Sequence, residues 1–234
     1  MCDDMVMEMT EVLDSIPAKV DAAGVLRFLR ARRFDPRTEQ VLGEVIERVT
    51  AVARPRAMYR MSFVEAKGDG FVEIDGVRFV SKVMRKNLDS VERVFLYVAT
   101  CGLEVESISY PGDVMLGYYL DAVKMALVGA ANQHLTGYLK KRFGLGQVAH
   151  MNPGSLADWP LTEQRKLFSL LGDVEKAIGV RLSESAIMYP LKSTSGIIFP
   201  TEARFESCQL CPRERCMGRR MPYNPDLVKQ YLGE

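Results

Sequence analysis

The stretch Leu182-Ser183-Glu184-Ser185-Ala186-Ile187-Met188-Tyr189-Pro190, followed by Ser193-Thr194-Ser195-Gly196, carries the most information in this chain. Taken alone, residues 180–200 read as strands around a turn of small residues. Ser183, Glu184 and Ser185 either hydrogen-bond a cofactor or close a turn with their own oxygens. Ser193, Ser195 and Gly196 give either a close backbone approach to a ligand or an ordinary small-residue turn. A few residues on lies Cys208-x2-Cys211-x4-Cys216, an irregular loop over about 206–220 that ends in Arg219-Arg220.

Outward from this stretch, Asp158 with Pro160 starts a helix carrying Leu161, Leu167, Phe168, Leu170 and Leu171. Residues 142–155, with Gly144, Gly146, Pro153 and Gly154, read as strand and loop. Residues 113–141 form the longest helix: Asp113 caps it, and Leu116, Leu120, Val123, Leu127, Ala130 or Ala131, Leu135 and Tyr138 recur at steps of about three and four. Gly117, Gly129 and Gly137 inside it mark close packing or room for a ligand. Arg93–Thr100 is continuously apolar after its first residue and reads as a buried strand. Phe71–Val80 is a hairpin whose central Asp75-Gly76 suits a type I′ turn. Residues 10–53 read as helical, with Pro36 a break, Thr38 an N-cap for a helix carrying Val41, Leu42, Val45, Ile46 and Val49, and the arginines 27, 30, 32 and 33 a solvated face. A terminal helix is expected over Asp226–Leu232.

Composition narrows the class. The chain has 234 residues, 47% of them hydrophobic, and a net charge of +1. That supports a real core and gives no argument for nucleic acid or an anionic membrane as partner. No run of about 20 apolar residues predicts a membrane span, and the acidic start lacks the features of a secretory signal. A cytoplasmic location follows by default. With five cysteines, three of them between 208 and 216, a disulfide framework does not fit, whereas a thiolate metal site does. Tetrahedral zinc and iron–sulfur clusters both want four ligands. Cys208, Cys211 and Cys216 supply three, and Cys101, at a strand end, is the candidate fourth. Arg213, Arg215, Arg219 and Arg220 would lower the thiol pKa values and offset thiolate charge. Spacing alone does not separate an iron–sulfur cluster from zinc, so a structural zinc knuckle remains the alternative.

The pattern over Leu182–Gly196 resembles the activation domain of cobalamin-dependent methionine synthase. Pro55–Arg60 with the hairpin, the strand into Ala99-Thr100 and the long helix are similar to a stand-alone form of that domain from anaerobic microbes. The resemblance implies an α+β fold: a curved antiparallel sheet with flanking helices and a long central helix, in one domain over 1–234 whose first 55 residues or so are helical. It also implies a job. Cobalt(I) of a corrinoid methyltransferase occasionally oxidises to cobalt(II). One electron from a flavodoxin- or ferredoxin-like donor, with a methyl group from S-adenosylmethionine, restores methyl-cobalt(III). The chain would then be part of a corrinoid methyltransferase system, not a complete methyltransferase.

One segment departs from the pattern. Where the family reads R-x-x-x-G-Y in its S-adenosylmethionine loop, this chain has His150-Met151-Asn152-Pro153-Gly154-Ser155. Proline and glycine fit, but arginine has become His150 and tyrosine Ser155. A neutral histidine replaces a permanent, forked cation. Loss of a charge-assisted pair costs about 1.5–3 kcal/mol, or one to two decades of affinity. The expectation is an accessory protein that docks on a corrinoid subunit through a Cys-ligated redox cluster, its methyl-donor site lost or altered. Two rivals stand beside it: a reductive methylase in which His150 substitutes for arginine, and a cobalamin carrier with structural zinc.

Overall fold

The computed structural model describes residues 10–233 apart from 21, 30–34, 203 and 217, so Cys2, Arg30, Arg32 and Arg33 lie outside the described residues. In chain order the elements are β1 (Thr10–Leu13), α1 (Ala22–Leu29), α2 (Pro36–Val52), β2 (Arg56–Gly68), β3 (Phe71–Ile74), β4 (Val77–Val80), α3 (Lys82–Asn87) and β5 (Arg93–Thr100). There follow α4 (Val114–Phe143), β6 (Val148–Met151), α5 (Gln164–Leu171), α6 (Val174–Ile178), β7 (Arg181–Leu182), β8 (Met188–Tyr189), β9 (Ser193–Pro200) and α7 (Pro225–Leu232).

The main sheet runs β4-β3-β2-β5-β9-β6, with antiparallel neighbours throughout. The long β2 serves β1 and β3 in succession along one edge, β1 at 57–60 and β3 at 64–68, while β5 takes the other edge. In β5, Val94, Leu96 and Val98 enter a core shared with α5 and α6; Phe95, Tyr97 and Ala99 enter another, shared with the C-terminal half of α4. A strand covered on both faces needs apolar residues at every position, which is why 94–99 do not alternate. The hairpin turn is as expected: Asp75 and Gly76 have φ of 45° and 74°.

Helix α4 begins where Asp113 accepts the Leu116 N–H at 2.9 Å and ends at Gly144 in the left-handed region. It is long and apolar enough to cross a bilayer. Its apolar residues instead join two cores: Leu120, Val123 and Leu127 pack with α1 and α2, and Ala131, Leu135 and Leu139 pack on the sheet.

Four local readings are corrected. Residues 10–13 are a strand paired with β2, because a partner edge decides the conformation of so short a segment. Pro36 starts α2 instead of breaking a helix, and the N-cap is Asp35, whose Oδ1 accepts from the N–H groups of Arg37 and Thr38 at 3.1 Å. Proline fits the first turn because its missing N–H has no intrahelical partner there. Asp158 caps α3 rather than α5, accepting from the N–H groups of Lys82 and Val83 at 3.0 Å and from the Ser81 hydroxyl. Finally, Ser193–Gly196 is not a turn but the start of β9, paired with Thr100–Tyr97 of β5.

Candidate functional site

Strand β6 sends alternate side chains to opposite faces. Ala149 and Met151 enter the α5 core, so His150 faces α4. Its Nε2 lies 3.4 Å from Thr136 Oγ1, and its ring meets Tyr97 edge-on at 6.0 Å between centroids. Burial, with the Arg220 guanidinium nearby, pushes its pKa down to about 4, so the ring is neutral at pH 7. Beyond Met151 the chain turns sharply. The Ser155 N–H returns to the Asn152 carbonyl at 3.2 Å, and Gly154 has a φ of 81°. Proline second and a positive-φ glycine third is the pattern of a type II turn.

Asn152 reaches back across the start of β9. Its amide donates to the Tyr97 hydroxyl at 2.8 Å and to the Ser195 carbonyl at 2.7 Å. Gly196 makes this crossing possible, since a Cβ there would overlap the Met151 carbonyl and the Asn152 amide. The close approach expected at Gly196 is therefore made by the chain itself. Gln164, fully buried on α5, holds the other side: it accepts from Ser195 Oγ at 2.6 Å and donates to the Ala186 carbonyl at 2.7 Å.

These groups wall a cavity of about 940 Å³ between the sheet edge and α4. His150, Pro153, Gly154, Ser155, Ser193 and Ser195 line it, and Gly196 lies beneath. Ser183, Glu184 and Ser185 are elsewhere. They form the exposed turn between β7 and β8, where the Ser183 hydroxyl accepts the Ile187 N–H at 3.0 Å and lies 2.9 Å from that of Ser185. Met188, from the same motif, does reach the cavity.

The sequence offered Gly129 and Gly137 as close packing or room for a ligand but not the other four residues of the α4 wall, which comprises Gly129, Asn132, Gln133, Thr136, Gly137 and Lys140. They repeat at steps of three, one, three, one and three, the spacing of one helix face. A polar and glycine stripe inside an otherwise apolar helix was the available signal. At Gly129 and Gly137 an added Cβ would meet nothing within 4 Å, so these glycines make room rather than close packing. Among the described residues, the buried Oδ1 of Asn132 has no hydrogen-bond partner. Asn152, Gln164 and Arg220 were also missed. Their roles depend on contacts across the fold.

Cys208 lies in a 3₁₀ turn (Ser207–Gln209), and the Cys211 N–H returns to its carbonyl at 3.4 Å. Arg219 gathers the loop, donating to the carbonyls of Cys208 at 3.0 Å and Cys211 at 3.1 Å, and to that of Arg213. Cys101 packs with Val105, Ile108 and Val123, whereas Leu210 belongs to the α5 core. Burial pushes the Cys101 thiol up to about 12, which disfavours the thiolate a metal needs. Among the described residues, no three Cys, His, Asp or Glu side chains are grouped to hold a metal.

An antiparallel sheet carrying a long helix, with a cavity where that helix passes the sheet edge, defines the class: the fold is that of a methionine synthase reactivation domain. The solved structure titled "Crystal Structure of the MetH Reactivation Domain bound to AdoHcy" superposes with a TM-score of 0.64 at 16% identity, covering 96% of this chain and 89% of that one. Residues 151–216 match the model of the family described as vitamin B12 dependent methionine synthase, activation domain. The resemblance read from Leu182–Gly196 is upheld, as are the antiparallel sheet, the flanking helices and the long central helix it implied. No curated protein sequence matches the chain.

Proposed function

We propose that this protein serves the reductive activation of a corrinoid-dependent methyltransferase, and that its cavity holds an S-adenosyl nucleoside facing a corrinoid carried by the partner. The cavity carries the reading. One side of it, from Asn152 to Ser195, comes from the segment that matches the activation-domain family. Its polar wall is pre-set by the Asn152–Tyr97–Ser195 and Gln164–Ser195 contacts. Sites of roughly 300–1,000 Å³ suit ligands of nucleoside size. Relative to the expectation of a lost or altered donor site, this reading is the altered one.

The partner's corrinoid is the substrate. One electron from a flavodoxin- or ferredoxin-like donor takes cobalt(II) to cobalt(I), which then takes the methyl cation from the sulfonium of S-adenosylmethionine, giving methyl-cobalt(III) and S-adenosylhomocysteine. This chain orients the nucleoside and excludes water, and His150 stays uncharged beside the sulfonium-bearing ligand.

Calorimetric titration tests the site. S-adenosylhomocysteine is expected to bind with micromolar affinity, and a Gly137→Leu variant is expected to lose at least tenfold. Leucine gains about 1 kcal/mol of helix propensity over glycine. A loss of binding in a chain at least as stable would therefore be steric. No binding by the unaltered chain would sink the donor-site reading.

The thiolate cluster is a finer proposal. Its support is the spacing Cys208-x2-Cys211-x4-Cys216 with the surrounding arginines, and the activation chemistry does not run through it. Iron, zinc and acid-labile sulfide, measured on protein purified without oxygen and on a Cys211→Ser variant, test it. Metal near stoichiometric in the first and lost in the second is the expected result.

A further inference from the structure

Among the described residues, the wall of the cavity has no carboxylate. Its cationic side chains are Lys140 and Arg220, and His150, which also lines it, is neutral. Glu206, which pairs with Arg220, stands outside that lining, and a wall that offers cations and no carboxylate of its own favours a ligand with a negative group. The two cations are not equivalent. Lys140 is an exposed residue near the C-terminal end of α4. Arg220 comes from the far side of the cysteine loop, beyond the matched segment, and its charge reaches both His150 and Tyr97. Its Nη2 is held 3.0 Å from Glu206 Oε2, and its side chain is 58% exposed. That ion pair joins the two ends of the loop, while the adjacent Arg219 clamps the carbonyls of Cys208 and Cys211. One arginine thus fixes the loop and the next enters the cavity.

We propose that Arg220 recognises the carboxylate of the ligand's amino-acid end, supplying from the cysteine loop the cation that is absent at His150. The inference rests on the donor-site reading above. A guanidinium has five N–H donors in a planar fork. One limb can stay on Glu206 while another meets a ligand carboxylate, a geometry that lysine does not offer. Glu206 anchors the arginine beside the cavity, and an incoming carboxylate shares or replaces that partner.

Titration of S-adenosylmethionine against its decarboxylated analogue tests this, because the pair differs only in the carboxylate. The unaltered chain is expected to prefer S-adenosylmethionine at least tenfold. Arg220→Ala should abolish that preference by weakening S-adenosylmethionine alone, Arg220→Lys should restore part of it, and Lys140→Ala should leave it intact. In the folded Arg220→Ala chain, NMR titration should also show the His150 ring protonating at higher pH. Retention of the preference in Arg220→Ala, with both ligands bound, overturns this inference and leaves the donor site standing. Failure of both ligands to bind the unaltered chain overturns the donor site and this inference together.

Discussion

At the scale of single residues, His150 sits on strand β6 and lines the cavity, and its charge state follows from that burial. Alternation along β6 turns it toward α4, where burial and Arg220 oppose its charge. The folded pKa, about 4, is below the ordinary value of 6.5. Between these values the unfolded chain binds a proton that the folded chain does not. The contribution of His150 is therefore fully present above about pH 6.5 and is lost as pH falls toward 4. A shift of that size is worth up to roughly 3 kcal/mol. Urea unfolding of the unaltered chain and of His150→Gln at pH 7, 5.5 and 4.5 should give a stability difference that shrinks or reverses across this window. A difference constant with pH would mean that the ring is not buried neutral. The expected ligand residues divide in two. Ser193 and Ser195 reach the cavity, whereas Ser183 and Ser185 spend their hydroxyls on their own turn.

At the scale of elements, β6 and β9 meet at the cavity floor because Gly196 lets Asn152 cross over. With alanine there, the Cβ and the Met151 carbonyl cannot both keep their places, so the strands must part. Overpacking of this kind costs about 1–3 kcal/mol. Gly196→Ala is expected to lower the denaturation midpoint accordingly and to weaken nucleoside binding. A variant of unchanged stability would mean that the two strands are not so closely apposed. Element types were legible wherever the pattern was long and local: the hairpin, β5 and α4 fell where alternation, apolar continuity and helical spacing put them. Short pieces were not. β1 owes its conformation to the edge of β2, and Asp158 caps a helix 75 residues earlier in the chain. Neither fact leaves a mark on its neighbours in sequence.

At the scale of the whole molecule, the cavity is a joint between α4, the edge of the sheet and the cysteine loop. A ligand that bridges them should stabilise the fold as a unit. At a hundred times its dissociation constant, such a ligand adds about 2.7 kcal/mol. For a chain of this size that raises the melting temperature by roughly 5–10 °C. S-adenosylhomocysteine should give this shift in a calorimetric scan, and Gly137→Leu should abolish it. A shift that survives in Gly137→Leu would place the ligand elsewhere. The sequence by itself determined the long helix, the hairpin, the central strand and the resemblance carried by Leu182–Gly196, because each is written in local spacing and residue type. Only the tertiary structure decided that a polar stripe of α4 faces His150, that Gly196 admits Asn152, and that Arg220 enters the cavity from the cysteine loop. These are contacts between segments distant in the chain. Their physical cause, the covering of both faces of β5 and the alternation of β6, exists only once the sheet has formed.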